Sequence, residues 1–447
     1  MRLQLLLLGL AVAFPAYGQI APEHSKSATD TMAARPEALT LDRAWALAET
    51  ANPTLRSARA LVLAVEGQLR DTRGLLWNNP QFATDLTRRH ASAAAAATQS
   101  YPEWTAGIAQ TFEIAGQHGH RRRAAQLEAA AVEENIEEVR RQVRGDVELS
   151  FTRVLALQRR IDLEQEAIKT IEDSAAAVRK RVGAGEDSRL EGNLAAVEAE
   201  RARNQLAILR EELLQARADL AAVLQLPPAS FPDVVGEFTV APPAYSLDTL
   251  LASAASRPQW RALALREDAA RSRLALERAS AYPDVTVGLA TGREGALDAR
   301  ERPTILSVSV PLPLFRRNAT GIGRAASELT QAQIDREVFQ RDTDARVRAL
   351  WQRLQSLRER VSRLSESVLP TLAENQRLSS TAFRAGEIGL LQLLLVNRQL
   401  LDARRDYLDA FGQFVEARIA LEQAAGITGS GRGPDSQQLT APNGEKR

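Results

Sequence analysis

The chain has 447 residues, 57 Lys and Arg against 56 Asp and Glu, a formal net charge of +1, and no cysteine. Disulfides, thiolate metal ligands and a lipid-acceptor cysteine are therefore excluded, and the balanced charge offers nothing for nucleic acid to bind. Aromatic residues make up 5 % and charged residues 25 %, the composition of long helices with narrow apolar seams rather than of a large enzyme core.

The N-terminus reads as an address label. Met1-Arg2 is a short positive start, Leu3 to Phe14 is apolar, and Ala16-Tyr17-Gly18 supplies small residues, which predicts a signal peptide over 1–18. The run is shorter than the roughly 20 residues a transmembrane helix needs. No other window approaches that length, so the mature chain can enter a membrane only as strands. A polar stretch, 19–38, follows.

The rest is a tandem duplication. "GAGE" around Gly185 returns as "RAGE" around Gly386, a shift of 386 − 185 = 201, and Ala124-Ala125, Ala202-Arg203 and Ala216-Arg217 return as Ala325-Ala326, Ala403-Arg404 and Ala417-Arg418 at the same shift. Upstream, Pro80 pairs with Pro283 and Pro53 with Pro258 at slightly larger shifts. The first repeat spans 39–226 and the second 246–427. Each is a helix, two strands and a long helical hairpin. Between them 227–245 carries five prolines and cannot be helical throughout, and the polar tail 428–447 is expected to be disordered and dispensable.

In the first repeat, Gln81 to Arg89 and Trp104 to Glu113 read as strands separated by the alanine-rich loop "ASAAAAATQS". In the second, Asp284 to Thr291 and Thr304 to Phe315 flank the polar loop "GREGALDARER"; Val285, Val287 and Leu289, then Leu306, Val308 and Val310, alternate with small or polar residues. Period two with one apolar face is the strand pattern, and these runs suit either bilayer-crossing strands or a soluble hairpin packed on a helix. The closure rule separates the two. Four strands leave two open edges, an open edge cannot sit in lipid, and the smallest closed bacterial barrels have eight strands. If the strands are membranous, several copies must each contribute four.

Long helices follow the strands. From Arg121 to Val182 there is no proline, and Val132, Ile136, Val139, Val143, Val147, Val154, Ile161, Ile168, Ile171, Val178 and Val182 mark a heptad seam. Val347, Leu350, Leu354, Leu357, Val361, Leu364 and Val368 mark the second. About 60 residues give a rod of roughly 90 Å, with water on both flanks. Gly185 and Gly386 reverse the chain at the ends of the rods, and helices of roughly 60 Å run back, to about Leu226 and Gly426. Pro370, whose repeat position is Lys169, is expected to bend the second rod.

"LTLDRAWALAETANPTLRSARA" at 39–60, "VSVPLPLFRRN" at 308–318 and "FRAGEIGLLQLLLVNRQLLDAR" at 383–404 resemble, in this order and duplicated, the TolC-like outer-membrane channels of tripartite efflux and type I export systems. The resemblance runs from about Leu39 to Gly426. Within that family, "FEIAGQHGHRRRAA" at 112–125 and "PLPLFRRNATGIGRA" are most similar to the CzcC-type branch that serves heavy-metal cation exporters. The resemblance implies a mainly α fold with a small β part: duplicated hairpins forming a periplasmic α-barrel, and four transmembrane strands per chain closed into a 12-stranded barrel in a homotrimer. It implies a periplasmic adaptor (membrane fusion protein) and an inner-membrane pump of the RND type as partners, outer-membrane lipid around the barrel, and a passive conduit with no cofactor.

Carried over by position, the adaptor-docking tips are Val182, Gly183, Gly185 and Glu186 with Phe383, Arg384, Gly386 and Glu387. Some members close the tunnel with acidic residues six and nine positions beyond the tip glycine, where this chain has Gln392 and Leu395. Glu191 occupies the repeat position of Gln392, so copies of Glu191 would supply a carboxylate girdle that favours cations. Arg121, Arg122 and Arg123 stand at a helix start, against the helix dipole, with Arg316 and Arg317 at the same level. They suit an anionic partner at the membrane interface or a solvated charge run. His118 and His120, two apart and without cysteine, make a poor metal site. No phosphate loop, nucleophile arrangement or dinucleotide fingerprint is present, so the chain reads as a non-enzyme. Two other readings stay open: a drug or type I protein export channel, and a secreted coiled-coil scaffold.

Overall fold

A computed structural model describes residues 38–93, 96–185, 188–228, 230–236, 245–295 and 300–427, with side chains left undescribed at 91–99. The expected signal peptide, the tail 428–447 and Glu186 lie outside the described residues.

The elements run α1 (Leu41–Ala51), α2 (Pro53–Asp71), β1 (Gln81–Ala93), β2 (Ala96–Phe112), α3 (Gln117–Gly183), α4 (Arg189–Leu224), α5 (Leu247–Ala254), α6 (Pro258–Ala279), β3 (Val285–Arg293), β4 (Thr304–Ser309), α7 (Ala319–Arg363), a π turn (Leu364–Val368), α8 (Leu369–Arg384) and α9 (Leu390–Ala425). Each repeat therefore holds two short helices, a strand pair and a hairpin. Local chemistry fixes the helix starts. Asn52 accepts hydrogen bonds from the N–H groups of Thr54 and Leu55 ahead of Pro53 at the first turn of α2, and Ser188 with Glu191 closes a capping box on α4.

The seam packs as its spacing predicts. Val132, Ile136, Val143, Val147, Val154 and Ile161 of α3 are buried with Leu209, Leu213, Leu220 and Leu224 of α4 and Leu55, Ala58 and Val65 of α2. Val347, Leu354, Leu357 and Val361 of α7 are buried with Phe411, Phe414, Ile419 and Leu421 of α9. Each fully buried Leu, Val or Phe contributes about 1.5–3 kcal/mol. The helices α2, α3, α6 and α7 stand in a row, α3 between α2 and α6, and α6 between α3 and α7.

The repeat register differs on the two sides of the π turn. Val147, Val154 and Ile161 are matched in burial by Val347, Leu354 and Val361, a shift of 347 − 147 = 200. Beyond the π turn Ala202, Leu209, Ala216 and Leu220 are matched by Ala403, Ala410, Ala417 and Leu421, a shift of 403 − 202 = 201. The π turn absorbs the extra residue, as such a bulge does within a helix. Pro370 sits in the first turn of α8 directly after it, and proline has no N–H to donate to the helix ladder. At Pro370, where the sequence leads to the expectation of a bend, the structure has a π turn directly before the proline.

Two strand limits differ from the sequence reading. The alanine-rich segment is not a plain loop: β1 continues to Ala93 and β2 begins at Ala96, paired through Ala91 with Gln99. At the other end β4 stops at Ser309 although apolar alternation continues to Leu314, because Pro311 and Pro313 have no N–H to donate to a ladder. The sheet is antiparallel throughout in the order β1-β2-β3-β4, so β2 and β3 join the two repeats and β1 and β4 are its open edges.

Candidate functional site: the sheet and the hairpin tips

The register divides the sheet into two chemically distinct faces. Phe82 pairs with Ile108 and Leu86 with Trp104; Ile108 pairs with Leu289, and Phe112 with Val285; Leu289 pairs with Leu306, and Val287 with Val308. Partners across a ladder share a face, so these side chains form one apolar surface. On it Phe82, Leu86, Trp104, Ile108, Leu289, Leu306 and Val308 are all exposed, Leu86 at 83 % and Leu306 at 72 %. The opposite face carries Asp85, Thr87, Arg89, Glu103, Thr105, Thr111, Thr286, Ser307 and Ser309. There Arg89 pairs with Glu103 at 3.0 Å, Glu103 also accepts from the Gly295 N–H, and Thr111 and Thr286 hydroxyls meet at 2.9 Å.

From Phe112 to Trp104 the apolar face spans eight residue steps, about 26 Å along the strand. At the usual tilt this is about 20 Å of thickness, close to the apolar band of an outer-membrane barrel. No described helix is long and apolar enough to cross a membrane.

The junction below the sheet accounts for one of the predicted arginines. Arg121 makes two hydrogen bonds to the Glu113 carboxylate, at 2.8 and 2.9 Å, and its guanidinium lies 3.9 Å over the Trp77 ring. The anion that offsets the α3 N-terminus is thus in the same chain. Gln117, buried, donates to Asp284 at 3.1 Å and accepts from the Ala115 N–H at 2.8 Å, tying the start of α3 to the start of β3. Arg122, Arg123, Arg316 and Arg317 are exposed and make no ion pair with another described residue, beside exposed Leu312, Leu314 and Phe315. His118 is not gathered with other ligands: among the described residues no group of three or more His, Asp or Glu side chains could hold a metal.

At the far end the rods reverse through left-handed glycines, Gly185 at φ +79° and Gly386 at φ +78°. The Gly386 N–H donates to the Phe383 carbonyl and the Glu387 N–H to the Ala382 carbonyl, at 3.1 and 2.9 Å, which is the Schellman pattern. Gly185 repeats the first bond, to Val182. The tips are packed together: Val182, Phe383 and Leu394 lie against buried Ala175, Val178, Ala195 and Leu390, and the Arg181 guanidinium is 5.5 Å over the Phe383 ring. Gly183, Arg384 and Glu387 are exposed. Glu191 is engaged locally, its carboxylate accepting from the Ser188 N–H and hydroxyl at 3.0 and 3.2 Å, while Gln392 is exposed.

Buried charge between the rods went unread in the sequence. Glu138 and Glu164 sit at spacings that look like helix-surface pairing, yet both are buried. Glu164 receives Arg405 of α9 at 2.5 and 2.8 Å. Glu138 is held by Arg141 at 2.5 Å and Arg257 at 2.6 Å, and these arginines also bond the Gln423 and Ala424 carbonyls at the end of α9. Burial alone would raise the Glu138 carboxyl; the two guanidiniums outweigh it and hold it below the usual range.

A duplicated pair of helical rods carrying a sheet with one lipid-matched face and one polar face defines an outer-membrane channel subunit. The chain belongs to the outer membrane efflux protein family, whose sequence profile matches residues 45–224 and 250–427. It is the outer-membrane channel component of a tripartite efflux system and extends into the periplasm. It is 26 % identical to the cobalt-zinc-cadmium resistance protein CzcC of Cupriavidus metallidurans, over 95 % of this chain and 100 % of that protein. Its fold is similar to that of CusC (TM-score 0.70, 20 % identity, covering 86 % of this chain and 91 % of that one). It is also similar to the Campylobacter jejuni CmeC outer membrane channel (TM-score 0.73, 13 % identity, 87 % and 86 % covered).

Proposed function

We propose that three copies of this chain close a twelve-stranded barrel and a helical tunnel, through which heavy-metal cations delivered by an inner-membrane RND pump and a periplasmic adaptor leave the cell. The observation that carries the reading is the sheet: an exposed apolar face with two open edges, β1 and β4, cannot rest in lipid until neighbours cover those edges. The polar face then lines a water-filled lumen. The paired tips at Gly185 and Gly386 meet the adaptor, with Arg384 and Glu387 exposed for contact. Likeness to a cobalt-zinc-cadmium resistance protein supports divalent cations as cargo, and the conduit itself catalyses nothing.

A deletion strain tests the cargo. Loss of the chain should sensitise cells to zinc, cobalt or cadmium and re-expression should restore growth. Unchanged metal tolerance with new sensitivity to organic toxicants would replace cations with drugs. The purified protein in a planar bilayer should give discrete conductance steps, and a protein that leaves the bilayer silent argues against a conduit.

A further inference from the structure

The two hairpins are not closed by apolar packing along their whole length. The buried cluster shared by α3 and α4 ends at Ile161 and Leu209, and the cluster at the tips begins only at Ala175, Ala195 and Leu390. Between the two, where α3, α4, α8 and α9 meet, lies a cavity of about 220 Å³, room for about seven waters at ~30 Å³ each. Buried Ala202 and Leu400 with half-buried Ile171 and Leu401 form its apolar floor. Arg201, Arg398 and Arg404 also line it and are exposed, which puts them at its rim.

The polar groups around this cavity lack close partners inside the chain. Arg404 makes no ion pair or hydrogen bond with another described residue. Arg201 approaches Glu198, and Arg398 approaches Asp402, only at 3.9 and 3.8 Å, beyond hydrogen-bond length. Asn397 Oδ1 is buried with no hydrogen-bond partner. The duplication shows that the bareness of Arg404 is particular to this place. Its counterpart Arg203, at the shift 404 − 203 = 201, is held by Glu172 at 2.6 and 2.9 Å and by Glu200 at 2.5 Å. The same shift puts Ala373 where Glu172 stands and Leu401 where Glu200 stands, so both carboxylates are gone. Arg405, next in the chain, is engaged by Glu164 and Asp402. Among the described residues that line the cavity, Glu198 is the one carboxylate, against three guanidiniums with donors to spare.

We infer that this cavity binds a small organic anion, a carboxylate carried on a compact apolar body such as a fused pair of aromatic rings. The Arg404 guanidinium is a planar fork of donors matched to a carboxylate, Arg201 and Arg398 add positive charge, and the Asn397 amide brings further hydrogen-bonding capacity. Ile171, Ala202, Leu400 and Leu401 receive the apolar body. An inorganic oxyanion would meet the cations and leave that floor in water. Because α3, α4, α8 and α9 all contribute to the walls, an occupant ties one hairpin to the other. The site goes beyond the conduit reading and does not rest on it.

Full-length protein in lipid nanodiscs, titrated calorimetrically with 2-naphthoate against empty nanodiscs as blank, should show a saturable site in every chain. 2-Naphthamide, of the same shape without the charge, and inorganic phosphate, with charge and no apolar body, should each bind at least roughly tenfold more weakly. Ala373→Glu, at an exposed position, restores the carboxylate that engages Arg203 in the first repeat. It should tie up Arg404 and weaken naphthoate binding at least roughly tenfold, with helical circular dichroism as in the wild type, and Arg404→Gln should do the same. Equal binding of naphthoate and naphthamide, phosphate binding as tight as naphthoate, or unchanged affinity in both variants would overturn the assignment. No saturable binding to a protein that conducts in a planar bilayer would overturn the site and leave the conduit intact. Naphthoate binding to a protein that leaves the bilayer silent would support the site and count against the conduit.

Discussion

Replacing Glu138 by Gln removes one charge from a site that water hardly reaches. The Glu138 side chain is 2 % exposed, Arg141 6 % and Arg257 11 %, so solvent screens the cluster little. An amide of the same shape leaves two guanidiniums facing each other and turns a donor toward one of them. Breaking a buried pair by removing one partner costs about 3–5 kcal/mol. The lower end applies, because both arginines keep their α9 carbonyls, so a loss of about 3 kcal/mol is expected. Denaturant unfolding of the detergent-purified protein, followed by helical circular dichroism, measures it. Replacing Glu138, Arg141 and Arg257 together by Met should restore most of the loss, since an apolar cluster of similar volume carries no unpaired charge. The Glu138 carboxyl is depressed in the folded state, so its contribution is complete above the unfolded carboxyl value of about 4.3. It disappears as the pH falls through the lower folded value, and the gap between wild type and Glu138→Gln should close there. A Gln variant within about 0.5 kcal/mol of wild type at neutral pH, inside the range of ordinary surface changes, would refute the clamp.

Adjacent residues of β2 should respond oppositely to charge. Ile108→Lys, on the apolar face, should cost about 2–4 kcal/mol in the bilayer and deplete the protein from the outer membrane, whereas Ala109→Lys, on the polar face, should insert normally and alter conductance; equal depletion would contradict the face assignment. Gly386→Pro cannot adopt φ +78° and also loses the bond to Phe383, so it should leave the assembly in the membrane and abolish export, and retained metal resistance would count against docking at the tips. Deleting Glu366 together with Pro370→Ala should turn the π turn into α-helix with both seams in register, at a cost of no more than about 1 kcal/mol in thermal unfolding, since single element-compatible changes fall in that range. Deleting Gln355 instead should rotate the seam and unfold the rod.

The rods were legible because a heptad is a strong periodic signal: Val147, Val154, Ile161 and their counterparts are buried as their spacing demands. The strands were legible where alternation faces lipid, from Phe82 to Leu86 and from Val285 to Leu289. At Ala91 to Ala96 alanine gives no alternation to read, and the backbone ladder alone carries the pair onward. Beyond Ser309 the alternation persists while Pro311 and Pro313 forbid the ladder, so pattern and hydrogen-bonding capacity give opposite answers and capacity decides. The π turn escapes a fixed-shift reading because one inserted residue moves buried positions by a single place. Glu138 and Glu164 were hidden for another reason: an Arg three or four residues away, Arg141 or Arg160, reads as a solvated pair unless it is known that α6 and α9 cover that side of α3. The hairpin tips combine both cases. Their glycine turns follow from the sequence, while the stacking of Arg181 on Phe383 across two hairpins does not.

Subunit mass is the most direct test of the account. The mature protein, extracted from outer membranes and analysed by sedimentation with detergent subtracted, should weigh three chains and should require detergent to remain dispersed. A protein that sediments as one chain in plain buffer would mean that the apolar face of the sheet meets no lipid and its edges meet no neighbour, and the conduit would have to be abandoned.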